Sequence, residues 1–109
     1  MSRKKIPDEV RSKILNIVAR YNDDTLGNSE VRYIPRFKGA FLYLDRSDFG
    51  RVHQICRLEY RGGLTNWTFA IYKYSSNNYS ESEWLFPGSH LADGTVEGAM
   101  SAGMEAYQP

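Results

Sequence analysis

Cys56 with His53 or His90 is the one thiol and imidazole combination that this 109-residue chain offers for nucleophilic catalysis. His53 lies three residues before Cys56 in a stretch that reads as a strand. Residues an odd number apart on a strand project from opposite faces, so the imidazole is expected to miss the sulfur. His90 reaches it only if the fold brings the two segments together. A buried, inert Cys56 packed as a small apolar side chain explains the same residue with less, because free cysteine is commonly interior. The two histidines and the cysteine lack the Cys-x-x-Cys or His-x-x-x-His spacing that gathers ligands locally, so neither a metal nor another cofactor is expected. Asp45, Asp48 and Glu59, with His90 nearby, furnish a carboxylate pocket for acid and base work only if a turn and a strand end converge. Turn-forming aspartates and a Glu59 paired to a cross-strand base account for them more simply. Arg61-Gly62-Gly63 lacks the strand, loop and helix order of a phosphate loop and reads as a hairpin connection.

The more informative surface is an alternation of bases and rings that runs from Arg32 and Tyr33 through Arg57 and Tyr60 to Tyr72, Lys73 and Tyr74. Arg32, Arg57, Tyr72 and Tyr74 are its candidate contact residues. Tyr and Arg dominate protein interfaces, which favours a protein partner, most simply a second copy of the chain. Rings also stack on unpaired bases while Arg and Lys hold phosphates, so single-stranded nucleic acid is the alternative, with Arg57, Tyr72 and Tyr74 as its contacts. The net charge of only +1 argues against that alternative, since a dedicated binder carries a strongly basic balance. A small enzyme using the carboxylate and histidine pocket is the third reading.

Length and composition set the frame for these surfaces. The chain is long enough for one hydrophobic core and too short for two, so residues 1–109 are expected to form a single domain. Aromatic residues make up 14% of it, which suits a sheet-rich core with large packed rings. No run approaches the roughly 20 apolar residues of a membrane span, and Met1 to Ile6 is basic without the apolar segment of a secretory signal. With a lone cysteine, this points to the cytoplasm. The triplets at Asn66 and Asn78 that match a glycosylation acceptor are therefore read as turn and strand residues. Charge is uneven: residues 1–74 carry net +6 and residues 75–109 net −5. An acidic tail packed beside a basic sheet explains that more simply than a functional dipole.

Met1 to Lys5 are expected to fray, forming a disordered tail. Pro7, Asp8 and Glu9 then make a helix start, with Val10, Ile14, Ile17, Val18 and Tyr21 on one stripe up to Asn22. Val31–Ile34 reads as a short strand bent at Pro35, which belongs on an edge. Phe37–Asp45 continues as a second strand, or as the same one past a bulge, apolar on both faces, and a turn follows over Arg46–Gly50. Arg51–Tyr60 is expected to send Val52, Gln54, Cys56, Leu58 and Tyr60 to the core and His53, Ile55, Arg57 and Glu59 outward. Trp67–Tyr74 has the clearest period of two, and Ser82–Phe86 reads as the last strand before Pro87-Gly88. Asp93 is expected to cap a second helix whose small residues, Gly98, Ala99, Ala102 and Gly103, let it lie close to a partner. The sum is a two-layer α+β domain. A four- or five-stranded antiparallel meander is flanked by an N-terminal and a C-terminal helix on one face, which leaves the reverse face free.

The strings Phe69–Ser75, Glu83–Gly88 and Asp93–Met100, with Phe37–Arg46 and Ile55–Leu58, resemble a family of small uncharacterised bacterial proteins of about this length. The similarity covers most of residues 6–109. It implies a bacterial source and supplies no catalytic residue to transfer.

Overall fold

The computed structural model describes residues 4–83 and 85–109. Five antiparallel strands lie in plain sequence order: β1 (Val31–Lys38), β2 (Phe41–Asp48), β3 (Arg51–Glu59), β4 (Thr68–Lys73) and β5 (Asn78–Ser80). Helices α1 (Asp8–Arg20) and α2 (Val96–Ala106) bracket the meander and pack on one face of it. The α+β, two-layer expectation holds. No helix among the described residues is long and apolar enough to cross a membrane.

α1 begins directly after Pro7, whose carbonyl accepts from the amides of Val10 (3.1 Å) and Arg11 (3.0 Å), while Asp8 and Glu9 face the positive end of the dipole. Val10, Ile14 and Val18 of the expected stripe are buried. The chain does not stop at Asn22; it widens into a π-helical turn over Tyr21–Thr25, where the Leu26 amide reaches the Tyr21 carbonyl (3.1 Å). That turn aims the Asn22 side chain at the outer edge of β1. Its Nδ2 donates to the Tyr33 carbonyl (3.1 Å) and its Oδ1 accepts from the Tyr33 amide (2.9 Å). Arg32 Nη1 donates to the Val31 carbonyl (2.9 Å), and Pro35 has no N–H. The edge is thereby closed to another strand, so edge-to-edge pairing through β1 is blocked.

Three strand expectations need correction. Gly39, at φ +60°, and Ala40 turn the chain between Lys38 and Phe41, so the expected strand over 37–45 is two strands, and β1 runs straight through Pro35 on the sheet edge. Arg46–Asp48 belongs to β2 and not to a turn; the turn is only Phe49-Gly50. The last strand is Asn78–Ser80. Of the expected strand at 82–86, Trp84 lies outside the described residues and the rest is not strand. Of the expected frayed tail, residues 1–3 also lie outside them. Lys4 and Lys5 are exposed, and Ile6 is buried with its amide on the Gly39 carbonyl (3.1 Å).

A bulge in β3 changes the faces. Leu44 pairs with Cys56 but Asp45 pairs with Gln54, so Ile55 is the extra residue, and both Ile55 and Cys56 are buried in the core. Beyond it the parity reverses. Val52 and Gln54, expected inside, lie on the reverse face and are exposed, while His53 joins the helix-covered face beside Asp48.

α2 is capped by Thr95, whose hydroxyl accepts from the Gly98 amide (2.9 Å). Asp93, the expected cap, acts one step back: it accepts from the Thr95 amide (3.1 Å) and hydroxyl (2.6 Å), and those bonds hold its carboxyl below the ordinary range. At Gly103 the helix touches the sheet so closely that a Cβ there would stand 2.5 Å from both Ile55 Cγ2 and the Tyr33 hydroxyl oxygen. That hydroxyl donates to the Met100 carbonyl (2.6 Å). Arg46, only 1% exposed, ties the other end. Its Nε and Nη2 fork onto the Asp48 carboxylate (2.6 and 2.9 Å), Nη1 donates to the Gly103 carbonyl (3.2 Å), and Nη2 also donates to the Tyr107 carbonyl. A fixed cation thus satisfies the carbonyl end of α2, where the helix dipole is negative.

Candidate interaction surface

The face of the sheet away from the helices carries Arg32, Ile34, Arg36 and Lys38 from β1, and Phe41, Tyr43, Asp45 and Ser47 from β2. Across from these stand Val52, Gln54, Arg57 and Glu59 of β3, then Thr68, Ala70 and Tyr72 of β4 and Tyr79 of β5. Its centre is covered by its own side chains. Small Ala70 leaves room for Tyr43 and Tyr79 to meet edge to face with ring centroids 5.3 Å apart. Tyr79 continues to Tyr72 (4.9 Å), Tyr72 to Tyr74 (4.8 Å) and Tyr74 to Tyr107 (5.4 Å). T-shaped contacts of this kind set the positive edge of one ring on the negative face of the next. Burial pushes the hydroxyls of Tyr74, Tyr79 and Tyr107 up from their ordinary range.

The cations are seated in this lattice. The Arg57 guanidinium lies 4.5 Å from the Phe41 ring centroid and 5.3 Å from that of Tyr79, and it faces Glu81 at 3.6 Å. Arg36 lies 4.4 Å from the Tyr43 centroid and donates to Asp45 (3.1 Å). Arg61 and Glu59 approach to 3.8 Å. Each Arg at the centre of the face therefore already has an acid beside it.

Of the four expected contact residues, the fold brings Arg57 and Tyr72 together through Tyr79. Tyr72 is buried and works as support. Tyr74 is exposed but its hydroxyl is anchored on the Gln54 carbonyl (2.9 Å), which carries its ring round towards Tyr107. Arg32 stands apart on the edge strand, holding the carbonyls of Gly27 (2.6 Å) and Ser29 (3.1 Å) in the loop before β1.

Sequence reasoning missed three exposed apolar residues on and beside this face. Val52 is 61% exposed and Ile34 40% exposed on the reverse face, and Phe49 is 64% exposed at the β2–β3 turn. Phe49 and Gly50 have φ of +53° and +90°, the backbone of a two-residue type I′ hairpin, and a bulky side chain is strained there. Phe49→Asn should raise stability by about 1 kcal/mol, seen as a higher urea midpoint with an unchanged slope. The Phe-Gly dipeptide at a tight turn was the available signal for Phe49. Val52 was hidden by the bulge.

At the opposite end of the sheet, the Ile6–Gly39 hydrogen bond brings the segment that carries Lys4 and Lys5 to the turn that follows Lys38, and the Lys4 ammonium reaches to 3.3 Å of the position a Cβ would take on Gly62, next to Arg61 in sequence. This end is basic.

The acid, base and thiol candidates are dispersed. Asp45 and Glu59 lie four residues apart along the register of β2, about 13 Å. His90 is exposed on the 3-10 turn Ser89–Leu91. The bulge brings His53 onto the same face as Cys56, contrary to the expectation, but about 7 Å further along the strand. Cys56 is fully buried and its thiol is pushed well up by that burial. His53 Nε2 stands 3.9 Å from Asp48 beside a cleft of about 340 Å³ that Tyr74, Tyr107 and Arg46 also line. All five Arg46 N–H groups are engaged, the second on Nη1 by Met104 Sδ (3.5 Å), so the cleft has no guanidinium N–H to offer a ligand. Among the described residues, no group of His, Cys, Asp and Glu is arranged to hold a metal ion.

Comparison with family models, with curated proteins and with solved structures finds no match to this chain.

Proposed function

We propose that this protein is a cytoplasmic, non-enzymatic interaction module that docks a polypeptide partner, most simply a second copy of itself, on the reverse face of its sheet. One observation carries the reading: apolar Ile34 and Val52 stand exposed on a face whose central rings and guanidinium groups are locked against one another. A rigid, prepaid array of Tyr and Arg costs little entropy on binding, and exposed aliphatic side chains supply area to bury. The closed edge of β1 favours face over edge as the route of association. Dispersal of the Asp45, Glu59 and His90 candidates counts against the enzyme reading.

Sedimentation velocity across a broad concentration series tests this. The wild type should shift from monomer towards dimer, and Val52→Asp, which places a charge on the face without touching the core, should weaken association about thirtyfold or more. A wild type that stays monomeric at millimolar concentration removes self-association, and a Val52→Asp variant that associates as the wild type does removes the face.

Single-stranded nucleic acid remains the second reading because of the basic end formed by Lys4, Lys5, Lys38 and Arg61. Salt-sensitive retention of an oligonucleotide, lost on replacing those four residues, would carry it.

A further inference from the structure

The charges on the reverse face are graded across the strands, and the register places the two ends of the gradient in one row. Arg36 pairs with Tyr43, Tyr43 with Arg57, and Arg57 with Ala70; the Ile71–Ser80 pair then sets Glu81, one residue past β5, in line with Ala70. The 3.6 Å approach of Arg57 to Glu81 fits that row. The β1 end of the face therefore carries Arg32, Arg36 and Lys38, and the β5 end carries Glu81.

Resting on the face reading above, we infer that the partner is a second copy stacked face to face about a two-fold axis parallel to the strands. Rotation about such an axis preserves each row and reverses strand order. Arg36 of one copy then stands over Glu81 of the other, twice per dimer, and Ile34 falls towards the partner's Tyr79, whose hydroxyl accepts from Gln54 Nε2 (3.4 Å) in the row Ile34, Asp45 and Gln54. A two-fold perpendicular to the strands instead lays β1 on β1 and opposes Arg32, Arg36 and Lys38 with the same three cations, with Asp45 beside Arg36 as the acid among them. Like charges placed against each other reject that arrangement, so the gradient selects one axis. Two sheets stacked in this way keep their strands within about 30° of alignment, the usual packing of twisted sheets. Asp45 beside Arg36 and Arg57 beside Glu81 stay in place and leave both rim residues oriented.

Charge reversal and mixing test the axis. Arg36→Glu and Glu81→Arg, both at exposed positions, should each weaken the dimer about tenfold or more, because two repulsive pairs replace two attractive ones. An equimolar mixture of the two variants should form a heterodimer of near wild-type strength, and the double variant Arg36→Glu with Glu81→Arg should again form a homodimer. Circular dichroism of each single variant should match the wild type. A wild-type dimer that either single variant leaves intact, or a mixture that fails to recover, overturns this axis while the face reading stands. A monomeric wild type overturns this axis and self-association together, and leaves the face to a different polypeptide partner.

Discussion

Replacing Arg46 by alanine is expected to remove about 3–5 kcal/mol of folding stability, a large fraction of the roughly 5–15 kcal/mol that holds a domain folded. The guanidinium is 1% exposed, and Asp48, forked onto it, is 9% exposed. Truncation would leave that carboxylate buried with no cation, and the Gly103 and Tyr107 carbonyls without their donor. The loss should appear as a fall in urea midpoint. Removing both charges, as Arg46→Met with Asp48→Leu, should recover a good part of it, because a buried pair replaced by apolar groups is close to neutral whereas a broken pair is not. If Arg46→Ala costs less than about 1 kcal/mol, Arg46 is not the tie between β2 and the end of α2.

Gly103→Ala should also be costly, although helix propensity alone predicts a gain. Alanine is about 1 kcal/mol better than glycine inside a helix. Against that, the new methyl would stand 2.5 Å from Ile55 Cγ2 and from the Tyr33 hydroxyl oxygen. Overpacking a filled core costs about 1–3 kcal/mol, and losing the Tyr33 bond to the Met100 carbonyl strands a buried hydroxyl for about 1–3 kcal/mol more. The balance falls about 2 kcal/mol or more on the destabilising side, measured as a lower urea midpoint. A variant as stable as the wild type would mean that α2 can lift from the sheet without penalty.

The helices and the meander were legible because their signals are local. Pro7, Asp8 and Glu9 announce a helix start, the i and i+4 spacing of Val10, Ile14 and Val18 announces its buried face, and the alternation at Phe69 and Ile71 announces a strand. The close approach of α2 could be anticipated from its glycines. The bulge at Ile55 could not, since one inserted residue leaves no mark in a segment where Ile and Cys are equally suited to the core. That single residue inverted the expected faces of Val52, Gln54 and His53. Arg46 was misread for a related reason: a charged residue beside Ser47 and Asp48 reads as a turn unless its partners, 57 and 61 residues along the chain, are known. Of the candidate surface, the residue types were visible in sequence, but whether a given Arg is free or seated between rings depends on pairs such as Tyr43 and Tyr79 that only the folded sheet brings together.

The most direct test of the reverse face as the docking surface is an NMR experiment on a mixture of isotope-labelled and unlabelled protein, recording only proton contacts that cross between copies. Contacts from the methyl groups of Val52 and Ile34 are the predicted result. Contacts instead from Leu15, exposed on α1 on the opposite side of the molecule, or no contacts at concentrations where sedimentation shows a dimer, would contradict it.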